Sequence, residues 1–173
     1  MAVARPAQQV TRPPAGRLLL FAVLALVGVA ALVGIGVLAP RISAATSRDD
    51  RRAEVLHAAR QQAVNFTTLD YRRLDADLGR VLTGSTGDFR KQFKAGVADL
   101  TTLFTSNKVV STGEVLEAGL VSSDADSARV LVVADSTVVN TASPQGDKRH
   151  SRISLDLVRH GGRWLVSDLT FVG

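Results

Sequence analysis

The sequence predicts an α+β domain carried behind one membrane-spanning helix, and three observations carry that prediction. Leu18 to Ala39 is a run of 22 residues without a charged or strongly polar side chain, closed by Pro40. Residues 48–104 place apolar side chains at helical spacing. Residues 109–172 hold four segments rich in Val, Leu and Ile, divided by turn-forming residues. Helices first and strands second is the order of helices packed on one face of an antiparallel sheet.

The apolar run comes first in the chain. As a helix it is about 33 Å long, enough for a hydrocarbon core of about 30 Å. A water-exposed helix would carry a polar face, and this run has none. It also exceeds the apolar region of a cleaved signal peptide, which is about 7–15 residues. Arg5, Arg12 and Arg17 precede it without an acid, whereas Arg41, Arg48, Arg51 and Arg52 follow it among Asp49, Asp50 and Glu54. A bare count of Lys and Arg does not favour the N-terminal side. Arg17 abuts the run, a short tail lies on one side and a foldable domain on the other, so the expectation is a cytoplasmic N-terminus and an extracytoplasmic C-terminal domain in the cell membrane. Residues 1–17 contain three Pro and no periodicity, which predicts a disordered tail, with lipid-headgroup contact by its Arg residues or docking of Pro13-Pro14 by a partner as the alternatives. Ala30 and Gly34 would let a second membrane helix approach closely. Residues 40–47 read as a linker and residues 48–173 as the domain.

Within that domain, Ala53, Leu56, Ala59, Ala63 and Phe66 form the first amphipathic stripe, over 48–69. A bend near Asp70-Tyr71 separates it from a short stripe of Leu74, Leu78 and Val81/Leu82. The breaker Thr83–Gly87 precedes a third stripe of Phe89, Phe93, Val97, Leu100 and Phe104. The strands are expected at 109–121, 128–139, 150–160 and 163–172. Ile153, Leu155 and Leu157 alternate with Arg152, Ser154 and Asp156, the period of a half-buried strand. His160-Gly161-Gly162-Arg163 reads as a tight hairpin, because a primed turn needs positive φ and glycine supplies it. Four strands with short links make a meander.

Composition excludes several functions. With no cysteine there is no disulfide framework, thiolate metal site or cysteine nucleophile. Only His57, His150 and His160 are available for a histidine metal centre. Residues 1–40 hold three Arg and no acid, leaving 18 basic and 16 acidic side chains from residue 41 onward. That near balance is not the strongly basic body of a nucleic-acid binder. No cofactor is expected.

The anchor, the stretch NFTTLDYRRLDADLGRVLTGSTGDFRKQF (65–93), the four strands and the closing RWLVSDLTFV (163–172) together resemble the mammalian-cell-entry (Mce) associated membrane proteins of actinobacteria. The resemblance covers the anchor and nearly all of the outer domain. It rests most specifically on Asp70-Tyr71, on Thr83–Gly87 leading into Phe89, and on the Trp164 strand. It implies a cone-shaped fold like nuclear transport factor 2 and like the periplasmic domain of type IV secretion assembly proteins. It also implies a non-enzymatic accessory role in lipid or sterol import, with Mce-type transporter subunits or other envelope proteins as partners. No catalytic signature carries over.

Six residues are candidates for a pocket or its packing: Asp70, Tyr71, Phe89, Phe93, Trp164 and Asp168. A cone can enclose an apolar cavity, and isomerases and cyclases of such folds pair a carboxylate base with Tyr or Asp donors. A two-residue Gly161-Gly162 turn sets Leu157 opposite Val166 and Leu155 opposite Asp168, which puts Asp168 on the core face, where an unpaired carboxylate has a raised pKa. The alternatives are pairing of Asp168 with an Arg such as Arg152, or a wet rim. Asp70 and Tyr71 diverge on either a strand or a helix, so Asp70 reads as a helix cap and Tyr71 as packing. Asp124-Ala125-Asp126-Ser127 lacks the Gly and Glu of a calcium loop and reads as a turn. Thr83–Gly87 is either a capping loop or an anion cradle, without the Lys of a phosphate loop. Trp164 reads as core or rim, or as a contact to a partner. Arg72-Arg73 and Arg90-Lys91-Lys94 are solvated faces, or contacts to a partner protein or anionic lipid. Three functions follow: a scaffold, a lipid-binding module holding an acyl chain or sterol, and an isomerase-like enzyme.

Overall fold

The structure is a computed structural model and describes residues 48–172. The apolar run at 18–39, the tail and the linker lie outside the described residues. Among the described residues no helix is long and apolar enough to cross a membrane.

Residues 48–67 form helix α1. Its buried side chains are Val55, Ala59, Gln62, Ala63 and, at its last residue, Thr67, while Ala53 is exposed. The stripe is therefore turned from the expected one toward Val55, with Leu56 and Phe66 at its margins. The chain then makes the short strand β1 (Leu69–Asp70), a 3-10 turn (Tyr71–Arg73) and helix α2 (Leu74–Thr83). Helix α3 (Gly87–Ser106) follows, and then the long strands β2 (Val110–Ser123), β3 (Ser127–Val139), β4 (Asp147–His160) and β5 (Arg163–Phe171). The sheet is antiparallel in the order β1-β2-β3-β4-β5. It has five strands rather than the expected four, because Leu69 and Asp70 pair with Ser111 and Val110. Two residues are too short to show a period in the sequence. Gly161 and Gly162 have φ of 56° and 80°, and His160 pairs with Arg163 across them, as a primed turn requires.

The main core lies between α1 and the sheet. Val55, Ala59 and Ala63 meet Val130 and Val132 of β3, Ile153, Leu155 and Leu157 of β4, and Trp164 and Val166 of β5. Small residues on α1 let its backbone approach the strands, and close packing leaves the interior filled. Helix α3 lies elsewhere: Phe93, Val97, Leu100 and Phe104 pack on Leu69, Leu74 and Leu78 in a second cluster, and no residue of α3 is fully buried. The sheet thus covers α1, while α3 packs on α2 and β1 and also meets β5, its Phe89 lying against the main core.

Leu155→Ala opens a cavity at a fully buried position and should lower unfolding free energy by about 2–5 kcal/mol in urea titrations. Leu131→Ala, on the opposite face of the sheet where the side chain is 44% exposed, should change it by less than about 0.5 kcal/mol. Equal losses at the two sites would place the core on the wrong face.

Candidate functional site

A polar corner joins β1 to α2. Asp70 caps the 3-10 turn by accepting from the Arg72 backbone N–H at 3.0 Å. It also receives the Arg72 guanidinium, with Nη2 at 2.6 Å and Nε at 2.9 Å. The Arg72 side chain and backbone N–H both favour the ionised form, so the Asp70 pKa falls to about 2. The centre of the corner is Asp77, fully buried on the apolar stripe of α2. Asp77 accepts from the Asp70 backbone N–H at 2.9 Å and from Arg80 Nη2 at 2.7 Å, with Arg73 Nε at 3.5 Å. Asp77 was not among the candidates; the available signal is an acid on an apolar stripe with Arg four residues before it and three after. Tyr71 is half-buried, its N–H donates to the Val109 carbonyl, and the Arg72 guanidinium lies 5.8 Å from its ring centroid. The corner is a structural tie.

The Thr83–Gly87 breaker attaches the helices to the outer strand. Thr86 N–H donates to the Val166 carbonyl at 2.8 Å, and Val166 N–H donates to the Gly84 carbonyl at 2.9 Å. Beneath the loop, buried Gln62 donates from Nε2 to the Val81 carbonyl at 2.8 Å and to Ser85 Oγ at 3.0 Å. A Cβ at Gly84 would collide with the Gln62 side chain. Thr86 is the N-cap residue of α3, without a side-chain capping bond, and Gly87 enters the helix with φ of 61°. Arg90 reaches back to the Leu82 carbonyl.

Alongside this stitch runs an open groove of about 730 Å³ between α1, α2 and the start of β5. His57, Gln61 and Asn65 line it from α1, Arg80 and Thr83 from α2, and Arg163 and Trp164 from β5. Ala58, Ala76 and Gly79 keep it open by being small. Trp164, only 7% exposed, belongs to both the core and this wall. Its Nε1 is buried and has no acceptor among the described residues, a condition that costs about 1–3 kcal/mol. The groove contains no residue of β2, β3 or β4 and does not enter the filled interior.

The remaining candidates lie apart. Leu157 pairs with Val166 as expected, but a bulge at Ser167 then shifts the register, so Asp168 faces Asp156 and Leu169 faces Leu155. The extra residue returns Asp168 to the outer face, where it is exposed and accepts from Thr170 Oγ1 at 3.0 Å. The core-facing placement of Asp168 is thereby overturned and the solvent-exposed alternative is the one the structure shows. Its neighbour Asp156 is held by Arg129 Nε at 2.6 Å and Nη2 at 2.9 Å, and the bidentate pair lowers the Asp156 pKa. Neither acid is buried beside Tyr71. Phe89 and Phe93 do meet, with ring centroids 6.0 Å apart, and Phe66 lies 6.1 Å from Phe93. The 124–127 segment is a turn closed by Asp124 N–H donating to the Ser127 carbonyl. The residues brought together are therefore Trp164 with His57, Arg80 and Arg163, a set the sequence did not assemble.

A family model described as uncharacterized protein Rv1363c/MT1408-like matches residues 18–173. The uncharacterized protein Rv1363c of Mycobacterium tuberculosis is 36% identical over 128 residues, 74% of this chain and 49% of the relative. The chain thus spans about half the length of that curated relative. Among solved structures, an IcmL-like type IV secretion system protein from Legionella pneumophila superimposes with a TM-score of 0.58 at 15% identity, covering 70% of this chain and 91% of that one. The periplasmic domain of DotI gives 0.58 at 14% identity, covering 68% and 92%. CagV, a VirB8 homologue from Helicobacter pylori, gives 0.56 at 9% identity, covering 69% and 97%. At these identities the likeness is one of fold, and it is the type IV secretion architecture that the resemblance implies.

Two variants test the stitched corner. The folded-state pKa of Asp70 lies below the ordinary 3.8, so its contribution is present in full above about pH 5 and is lost as pH falls toward about 2. The urea midpoints of wild type and Asp70→Asn should differ by a constant amount near neutrality and converge in acid; a gap unchanged at low pH would assign the effect to something other than ionisation. Gly84→Ala should destabilise by about 1–3 kcal/mol by displacing Gln62. In a double-mutant cycle with Gln62→Ala most of that loss should disappear, and strict additivity would refute the contact.

Proposed function

The chain belongs to the Rv1363c/MT1408-like family, and from that membership and its fold we propose that it is a single-pass membrane protein acting as a non-enzymatic accessory or scaffold subunit of a cell-envelope complex. The tail at 1–17 is cytoplasmic in this reading, the 18–39 run is the anchor, and the domain at 48–173, a cone like that of nuclear transport factor 2, is extracytoplasmic. The observation that carries the reading is the superposition of this domain on nearly the whole of the DotI periplasmic domain and of the IcmL-like type IV secretion protein. The finer proposal, a place beside Mce-type transporter subunits in lipid or sterol import, rests on the sequence resemblance.

Packing supports association over the other two functions. The space between α1 and the sheet is occupied by Val55, Ala59 and Ala63 against β3 and β4, a packed arrangement that favours association over holding an acyl chain or sterol there. Of the acids an isomerase could use, Asp156 is paired to Arg129 and Asp168 is exposed, while the buried Asp70 and Asp77 are taken up by Arg72 and Arg80. The sheet edges are also poor docking strands. Extra residues Leu116 and Val121 bulge β2, and the Gly84–Thr86 loop occupies part of the β5 edge. That directs attention to the helices and the groove beside them.

Affinity purification of the full-length chain in mild detergent, with identification of bound proteins and extracted lipids, tests this directly. Mce-type transporter subunits should co-purify. Other envelope proteins in their place would keep the scaffold role and remove the transport assignment; a monodisperse, partner-free protein would overturn both.

A further inference from the structure

We propose that the groove between α1, α2 and the start of β5 receives an acidic segment of a partner protein, anchored on Trp164 and held by Arg163, Arg80 and His57. The proposal rests on the docking role above and names its site and the chemistry of the occupant.

Charge comes first. The groove is lined by two arginines and a histidine, with amides from Gln61 and Asn65, and by no carboxylate. Arg80 gives one bond to Asp77 but keeps 45% of its side chain exposed, so donors remain for a second acid. Arg163 and His57 are both exposed at the rim. A cationic, donor-rich lining selects a partner that brings acceptors and negative charge.

Shape argues for a polypeptide. A second hollow, lined by Ala53, Glu54 and Gly162, shares His57, Ala58, Arg163 and Trp164 with the first. Together they extend along α1 from Ala53 to Asn65, about 18 Å at 1.5 Å per residue. That length takes about three helical turns or about five extended residues. Glu54, the one carboxylate lining either hollow, stands at the far end with Arg159 Nη2 at 3.9 Å. The small side chains of Ala53, Ala58, Ala76 and Gly79 give a main chain room to approach.

Trp164 supplies an independent observation. Its side chain is more than nine-tenths buried, lines both hollows, and has an indole N–H without an acceptor. A buried donor of this kind is normally paired. That nitrogen has no accessible surface on the groove, so what Trp164 offers a partner is the edge of its ring, part of a large, rigid side chain of the sort that anchors interfaces.

Trp164 is also the chain's one tryptophan, so its fluorescence reads the groove without a label. The full chain in dodecyl maltoside would be titrated with an amphipathic Glu/Leu peptide of about twelve residues, matched to the groove wall. The Lys/Leu peptide of equal length and laurate serve as the other probes. The Glu/Leu peptide should shift the emission saturably and lose about tenfold in affinity in Arg163→Glu, with Arg163→Lys close to wild type. Added salt should weaken it. No saturable shift, an equal response to the Lys/Leu peptide, unchanged affinity in Arg163→Glu, or a response to laurate alone would each overturn the proposal, the last in favour of a lipid ligand. Purification of Arg163→Glu separates the two levels. Partners that still co-purify with it would remove the groove and leave the docking role; their loss, with circular dichroism unchanged, supports both.

Discussion

The packing of α1 against the inner face of β3 and β4 is the contact on which the rest of this structure depends. Three modest side chains, Val55, Ala59 and Ala63, sit on a surface of branched residues that includes Val130, Val132, Ile153, Leu155 and Leu157, all of them excluded from water. Burial of each larger side chain contributes about 1.5–3 kcal/mol. The small alanines allow helix and sheet to close without leaving a void. A larger residue at Ala59 or Ala63 would lift the helix and open the space that isomerases and lipid carriers of cone-shaped architecture use. In the docking role proposed above, it is the outer surface of the domain that meets a partner.

The remaining helices hang on that central pair through polar ties. Gln62, on the same helix face as Ala59 and Ala63, bonds to Val81 and Ser85 and so fixes the end of α2. Ser85 and its neighbours then bridge to Val166 on β5. At the opposite end of α2, Asp77 closes on the Asp70 backbone and two arginines. Buried acids of this kind are costly unless every lone pair finds a donor. Each carboxylate oxygen of Asp77 has a donor, Asp70 N–H on one and Arg80 on the other, and so Asp77 reads as an element of geometry rather than of chemistry. The wall formed by Arg80, Thr83 and Gly79 is held in place by the same two ties.

The sequence made the architecture legible wherever a period ran uninterrupted. The alternation of Ile153, Leu155 and Leu157, the Gly161-Gly162 turn and the stripe of α3 appear in the structure as their spacing implies. It failed where a single residue broke the count. The bulge at Ser167 moved Asp168 to the other face of β5, and the bulges at Leu116 and Val121 scrambled the alternation of β2. A bulge leaves no compositional trace in a Val- and Ser-rich strand, so no inspection of spacing would have found it. The first stripe was misphased because alanine is compatible with either side of a helix, and Val55 decided the matter only once the sheet was present. The candidate site suffered most. Trp164 was singled out, but His57, Arg80 and Arg163 come from three distant parts of the chain and converge only through the 84–86 bridge.

That convergence also explains why the groove, rather than a sheet edge, is suited to a partner. An open edge offers the same backbone groups to any extended chain, and so invites indiscriminate pairing. Here β2 carries two bulges and Glu117 paired with Arg60, while β5 is partly occupied by its own loop. Both features discourage added strands. In the docking proposal the groove, by contrast, would distinguish partners by charge and by the fit of a main chain over Ala58 and Gly79 against an indole wall. Selectivity of this kind needs fixed walls, and these are supplied by the packed face of α1 and the tied end of α2. Because Trp164 shares one ring system between the core and the groove, occupancy of the groove is coupled to the stability of the domain: a partner that binds only the folded state stabilises it in proportion to its affinity and concentration.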